Sequence, residues 1–200
     1  MQNELASCGD TAEIALNANV MIPEGVGVEG YWNVICRDAA GNVKWTEEFP
    51  NLVVAVGKQL MLDTLLKGSS YSVTGPYLGL TNATLSTAAT DVMSTIVPSK
   101  EFTAYTVGGS AVRGTAVFGS ATSTGSSPSN VTSSTASGIT YTITGAGGTV
   151  YGCFLVLGTG AVSTQGSTAG TLYSEGNFAV AKATTAGDTV TVTYSTTATS

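Results

Sequence analysis

Carboxylates are the side chains in this sequence with a route to acid–base chemistry, because the chain has no histidine. That absence removes Ser-His-Asp and Cys-His catalysis, His-ligated metals and a histidine pH switch. Glu47 and Glu48 are adjacent, so on a strand they point to opposite faces and cannot share a substrate. A pair brought together by folding, such as Glu29 with Asp38, is what an acid–base glycosidase would need. Solvated surface carboxylates are the ordinary alternative. Asp10, Glu13, Asp91 and Asp188 lack the dense acidic alternation of an EF-hand loop. Gly57-Lys58 lacks the flanking residues of a phosphate loop, and Gly145-Ala146-Gly147-Gly148 runs into a strand pattern instead of a helix. The expectation is a chain with no catalytic residue, no metal and no cofactor, which is not an enzyme.

Cys8, Cys36 and Cys153 are odd in number and none sits in a CxxC spacing. Buried free thiols are expected, with any pairing between two of them left open. Among the aromatics, Trp32 and Trp45 flank a hairpin loop and are candidate exposed contacts. With Tyr31, Tyr71, Tyr77, Tyr105 and Tyr151 they would form a platform for stacking a sugar, core packing or a subunit interface being the alternative.

The elements that must position these residues are strands. Thr, Ser, Gly and Ala make up half of the 200 residues, and only 10% are charged. Ile139–Thr144 and Thr189–Tyr194 alternate strictly between apolar residues and Thr, which predicts strands with one apolar face. Thr149–Leu157 is apolar on both faces, as a central or interface strand would be. Val150, Tyr151, Phe154, Leu155 and Val156 are therefore the candidate core or oligomer residues. Gly145–Gly148 reads as the turn of a hairpin over residues 139–157. Further strands are expected at Val26–Arg37, Val43–Phe49, Leu52–Val56, Tyr77–Thr81, Phe102–Val107, Val112–Phe118 and Asn177–Thr184. Asp38–Asn42 is the hairpin loop between the first two.

One segment breaks the pattern. Met61, Leu62, Leu65 and Leu66 form a helical stripe, which predicts one short helix near residues 57–67 with Gly68 as its C-cap. The expected fold is all-β: a single jelly-roll-like antiparallel sandwich over residues 1–200. An N-terminal arm occupies about 1–20, and a Ser/Gly/Thr loop covers 119–130.

Net charge is −6 and the pI near 4.4, which opposes nucleic-acid binding. No apolar run approaches the roughly 20 residues that span a bilayer, so no membrane partner is expected. Met1–Leu5 has neither the basic nor the apolar region of a signal peptide. A soluble chain, made and kept in a cytoplasm until it assembles, is the expectation.

An ordered set of landmarks resembles a family of small structural proteins of tailed-bacteriophage virions. The set runs Trp45-Thr46-Glu47-Glu48-Phe49-Pro50-Asn51-Leu52-Val53-Val54-Ala55-Val56-Gly57, then Leu62-Asp63-Thr64-Leu65-Leu66 and Tyr77-Leu78-Gly79-Leu80-Thr81. It continues with Asp91-Val92-Met93, Thr149–Leu155 and Gly187–Tyr194. Family members often carry Trp-Thr-Glu after the Asp-x-Met, where this chain has Lys100-Glu101-Phe102. The resemblance implies assembly instead of catalysis: a decoration or cement protein on the outside of a phage head, with the major capsid protein as partner. The alternative it leaves open is a tail-fibre or receptor-binding component. Either is a virion protein made in the host cytoplasm. The two-faced strand at 149–157 adds the expectation of a homotrimer or other small homo-oligomer.

Overall fold

The computed structural model describes residues 27–66, 74–122, 129–131 and 138–199. Strand β1 (Gly27–Arg37) sets the logic of the fold: Gly30, Trp32, Val34 and Cys36 are buried, while the residues between them are more open. This is the period-two burial of a strand with one face on a core. Asp38 closes the following turn by accepting from the Ala40 and Asn42 amides at 2.9 and 2.8 Å, and β2 (Val43–Pro50) returns antiparallel.

The remaining elements follow in order: β3 (Leu52–Val53), α1 (Ala55–Leu66), β4 (Tyr77–Thr81), α2 (Met93–Ile96), β5 (Glu101–Phe102), β6 (Tyr105–Thr106) and β7 (Gly114–Thr115). Then come β8 (Ser129–Val131), β9 (Ile139–Ile143), β10 (Gly148–Leu157), β11 (Thr171–Thr184) and β12 (Thr189–Thr199). They form two antiparallel sheets. The first has the order β2-β1-β12-β9-β6, with β8 also on β12; the second has the order β3-β11-β10-β4-β5, with β7 also on β4. The chain is an all-β sandwich.

The core between the sheets is aromatic. Trp32 packs on Tyr194 with ring centroids 4.4 Å apart, and Tyr105 meets Tyr141 edge-on at 4.8 Å. Leu80, Val150, Leu155, Val190 and Val192 fill the space around them. Each such side chain contributes roughly 1.5–3 kcal/mol on leaving water. A second, smaller core is built by Phe154, Val156 and Leu172 of the second sheet with Val54, Leu85, Met93, Ile96, Val97 and Ala161.

Several expectations are corrected. Residues 139–157 are not a hairpin: β9 joins the first sheet, β10 the second, and the glycine turn crosses between them. The face patterns explain why, because β9 has one apolar face and β10 has two. The helix begins at Ala55, which shortens the expected strand Leu52–Val56 to Leu52–Val53. Gly57 lets it do so: a Cβ there would lie 2.5 Å from the Tyr173 carbonyl oxygen, so only glycine permits this close approach of helix to sheet. A second helix, the single turn α2, was not expected; its Met93, Ile96 and Val97 fall at helical spacing and are buried. Ser129 and Asn130, inside the expected loop, are strand residues paired with Thr197 and Thr196. Positions 123–128 of that loop, the arm at 1–20, Tyr71, Lys67 and Gly68 lie outside the described residues. No described helix is long and apolar enough to cross a membrane.

Candidate functional site

The carboxylates singled out in the sequence do not converge. Glu47 pairs with Lys182 at 2.8 Å, and Glu48 accepts from the Asn33 amide, each on its own face of β2. Glu29 and Asp38 sit at opposite ends of β1, roughly 30 Å apart at strand rise, and make no glycosidase pair. Asp188 holds Lys44 and the Thr185 amide. Hydrogen bonds from Asn42 and nearby amides lower the Asp38 pKa below its usual value. The described residues contain no group of three or more acidic or thiol side chains spaced to hold a metal.

The aromatic platform is also corrected. Trp32 has no exposed surface and belongs to the core. Trp45 is half-buried, edge-on to Phe178 at 5.8 Å, and its indole N–H donates to the Ala183 carbonyl at 3.2 Å. Trp32 therefore offers no stacking face, and Trp45 stays partly open. Tyr105 is buried as well, while Tyr31 remains exposed. Cys36 and Cys153 are free and buried, and burial pushes the Cys36 thiol up to about 11.

Of the candidate core residues, Val150, Phe154, Leu155 and Val156 are buried on β10, between β11 and β4, and Tyr151 is half-buried. Val150 and Leu155 face the core between the sheets. Phe154 and Val156 face the second core, where residues 82–98 and Ala161 cover them. The second apolar face of β10 is thus closed by the chain itself, and it no longer calls for a partner copy.

Three features went unread in the sequence. The first is a buried ion pair: Arg113 donates to Glu101 through Nε and Nη2, at 2.7 and 2.8 Å. The second is a pair of buried carboxyls, Glu175 with Asp91. Burial and the Asp91 charge push Glu175 up to about 8. The signal for both was available, since Arg113 and Glu175 are rare charges in an otherwise uncharged stretch.

The third feature is the best candidate for a working surface. Helix α1 turns its leucines outward: Leu62, Leu65 and Leu66 are 57%, 75% and 80% exposed, while Met61 packs inward. Beside them a groove of about 490 Å³ runs between the sheets, lined by Leu60, Leu65, Phe118, Leu157, Tyr173 and Tyr194 among others. The Tyr173 hydroxyl donates to Met61 Sδ at 3.3 Å and fixes the helix against the sheet. Such a surface offers shape and apolar area, and the polar groups in its lining are the hydroxyls of Thr64, Tyr173, Tyr194 and Thr196.

No family model, curated protein or solved structure matches the chain.

Proposed function

We propose that this chain is a structural protein of a tailed-bacteriophage virion, a decoration or cement protein that binds the outside of the head and bridges capsomers. The observation that carries the reading is the outward row Leu62, Leu65 and Leu66 beside an apolar groove. A monomer in water gains nothing from that arrangement, whereas a protein partner buries it. The occupant is a subunit of the shell, the major capsid protein. An acidic chain with few charges suits it, since charges are costly to desolvate at a contact repeated across a shell. Binding the assembled shell and not its separated subunits stabilises assembly by linkage.

Leu65→Glu tests the reading. Leu65 is so exposed that the variant keeps its fold, and it fails to coat particles lacking the native protein. Particles without the protein lose their genome at lower temperature yet still adsorb to hosts. On the order of hundreds of copies per virion are expected, because closed shells repeat their contacts. About a dozen copies, with adsorption lost and shell stability unchanged, would place the protein in the tail and overturn the reading.

A further inference from the structure

Glu175 sits on β11 opposite Phe154 of β10 and Leu52 of β3, fully buried. Neither of its carboxylate oxygens receives a hydrogen bond from a described donor. Asp91, itself only 7% exposed, is the carboxyl that acts on it, and Asn51, Thr87 and Asn177 line the same cleft. Asp91 is well supplied: its Oδ2 accepts from the Ser86 hydroxyl at 2.6 Å and from the Ala88 amide at 2.9 Å. One carboxyl therefore has donors and the other has none. Two ionised carboxylates buried in contact repel each other, and a proton on the donor-poor partner turns that repulsion into a hydrogen bond.

We propose that a single proton, carried by Glu175 and donated to Asp91, latches residues 82–98 over the second sheet, and that losing it frees the segment. The geometry makes Asp91 the right place for a latch. It ends the turn from Ser86 to Asp91, in which Thr87 adopts a φ of 48°, a strained value for a β-branched residue. Asn177, two positions along β11, holds the start of the same turn through both the amide and the carbonyl of Leu85, at 2.9 and 3.0 Å. The Ala55 amide holds Ala89 at 2.8 Å. Beneath the segment lie Phe154 and Val156, so release bares the second core.

The surrounding charges permit this. From β3 and β10 the facing residues, Leu52 and Phe154, are uncharged. Lys100 acts on both carboxyls and favours their charged forms. Arg113 lies over the Phe154 ring at 5.2 Å and is engaged by Glu101. Burial first, then Asp91, raises Glu175 from the 4.5 of a free glutamate to about 8, while the Ser86 and Ala88 donors outweigh burial and keep Asp91 below its ordinary range. The closed state thus binds the proton more tightly than the open one. Opening is unaffected below the open-state value, rises up to about tenfold per pH unit as pH climbs from there to the closed-state value, and then levels off.

Hydrogen exchange of the full chain between pH 5 and 9, corrected for intrinsic rates, reads this directly. Amides of residues 85–97 should lose protection with rising pH and reach a plateau, while those of β1 and β12 change less. Glu175→Gln, which donates an N–H to Asp91 without titrating, should abolish the dependence. Infrared spectra need no variant: a protonated-carboxyl band present at pH 6 should fade by pH 9. Absence of that band at pH 6, pH-independent protection, or the same slope in Glu175→Gln overturns the latch. So does restoration of protection at pH 9 by calcium ion, which would show the carboxyls gathered for a cation instead of a proton. The latch is independent of the proposed function.

Discussion

Arg113 and Glu101 face each other as a two-pronged ion pair from which solvent is excluded on both sides. The pair also ties down a distant loop, since Glu101 Oε2 accepts from the Gly166 amide at 2.8 Å and Arg113 Nη2 donates to the Ser167 carbonyl at 2.7 Å. Removing one partner strands the other charge in the interior. Arg113→Met is expected to destabilise the chain by about 3–5 kcal/mol in urea denaturation. Adding Glu101→Leu should recover part of that loss, because the unpaired charge goes while Gly166 and Ser167 still lack partners. A double variant no more stable than Arg113→Met alone would contradict this.

Stability should have an unusual pH profile. Asp91 and Asp188 have lowered pKa values, although burial opposes both; their hydrogen bonds, and Lys44 for Asp188, prevail. Their contribution is present above an ordinary aspartate value and is lost as pH falls through their own. Glu175 is raised, chiefly by burial, so its contribution is complete below 4.5 and drains away as pH rises to about 8. The unfolding free energy, and with it the melting temperature, is therefore expected to peak at about pH 4–5, the free energy declining by at most about 1.4 kcal/mol per pH unit toward neutrality. Glu175→Gln should flatten that decline. Rising stability from pH 5 to 8 in the native chain would contradict the assignment.

Gly79 lies directly under the Phe154 ring, where a Cβ would approach the ring carbons to 2.3 Å. Gly79→Ala should cost about 1–3 kcal/mol by overpacking. Combining it with Phe154→Leu should cost less than the two separate losses added together, because the smaller side chain yields the space. Additive losses in chemical denaturation would show that the ring moves aside freely.

Cys36 and Cys153 should resist thiol reagents in the folded chain. Burial disfavours both thiolates, and the side chains have no exposed surface. In a Cys8→Ser background, labelling at pH 8 should be slow in buffer and complete in denaturant. Rapid labelling under native conditions would show that the core opens.

How far the sequence discloses this molecule depends on whether a signal is local. Strict alternation marked β9 and β12, and turn chemistry at Asp38 marked the first hairpin, because both act between near neighbours in the chain. Pairing is not local. The 139–157 segment read as a hairpin by proximity, yet a one-faced strand and a two-faced strand belong to different sheets, and that mismatch was visible beforehand. Trp32 misled because type alone does not tell an inward position from an outward one. Its alternation with Val34 and Cys36 on β1 does so. The α1 stripe was legible as helical spacing, but its outward direction was fixed by Gly57 meeting Tyr173, 116 positions later. The Asp91–Glu175 contact joins residues 84 apart, a distance no pattern in the chain reports.

Gly27 of β1 lies opposite Thr199 of β12, and the register runs unbroken to Arg37 opposite Thr189. Both residues stand at the same end of two inner, neighbouring strands of the first sheet. Tension applied there would peel the β1–β12 ladder one rung at a time, the weakest way to load a sheet, because the hydrogen bonds break in sequence and never share the force. Load applied between Gly27 and Thr189, at opposite ends of the same ladder, would instead meet its bonds in parallel. The same ladder thus yields to load at one end and resists load along its length. Pulling single molecules through the two geometries should give a low, gradual release from the shared end and an abrupt, high-force rupture along the ladder.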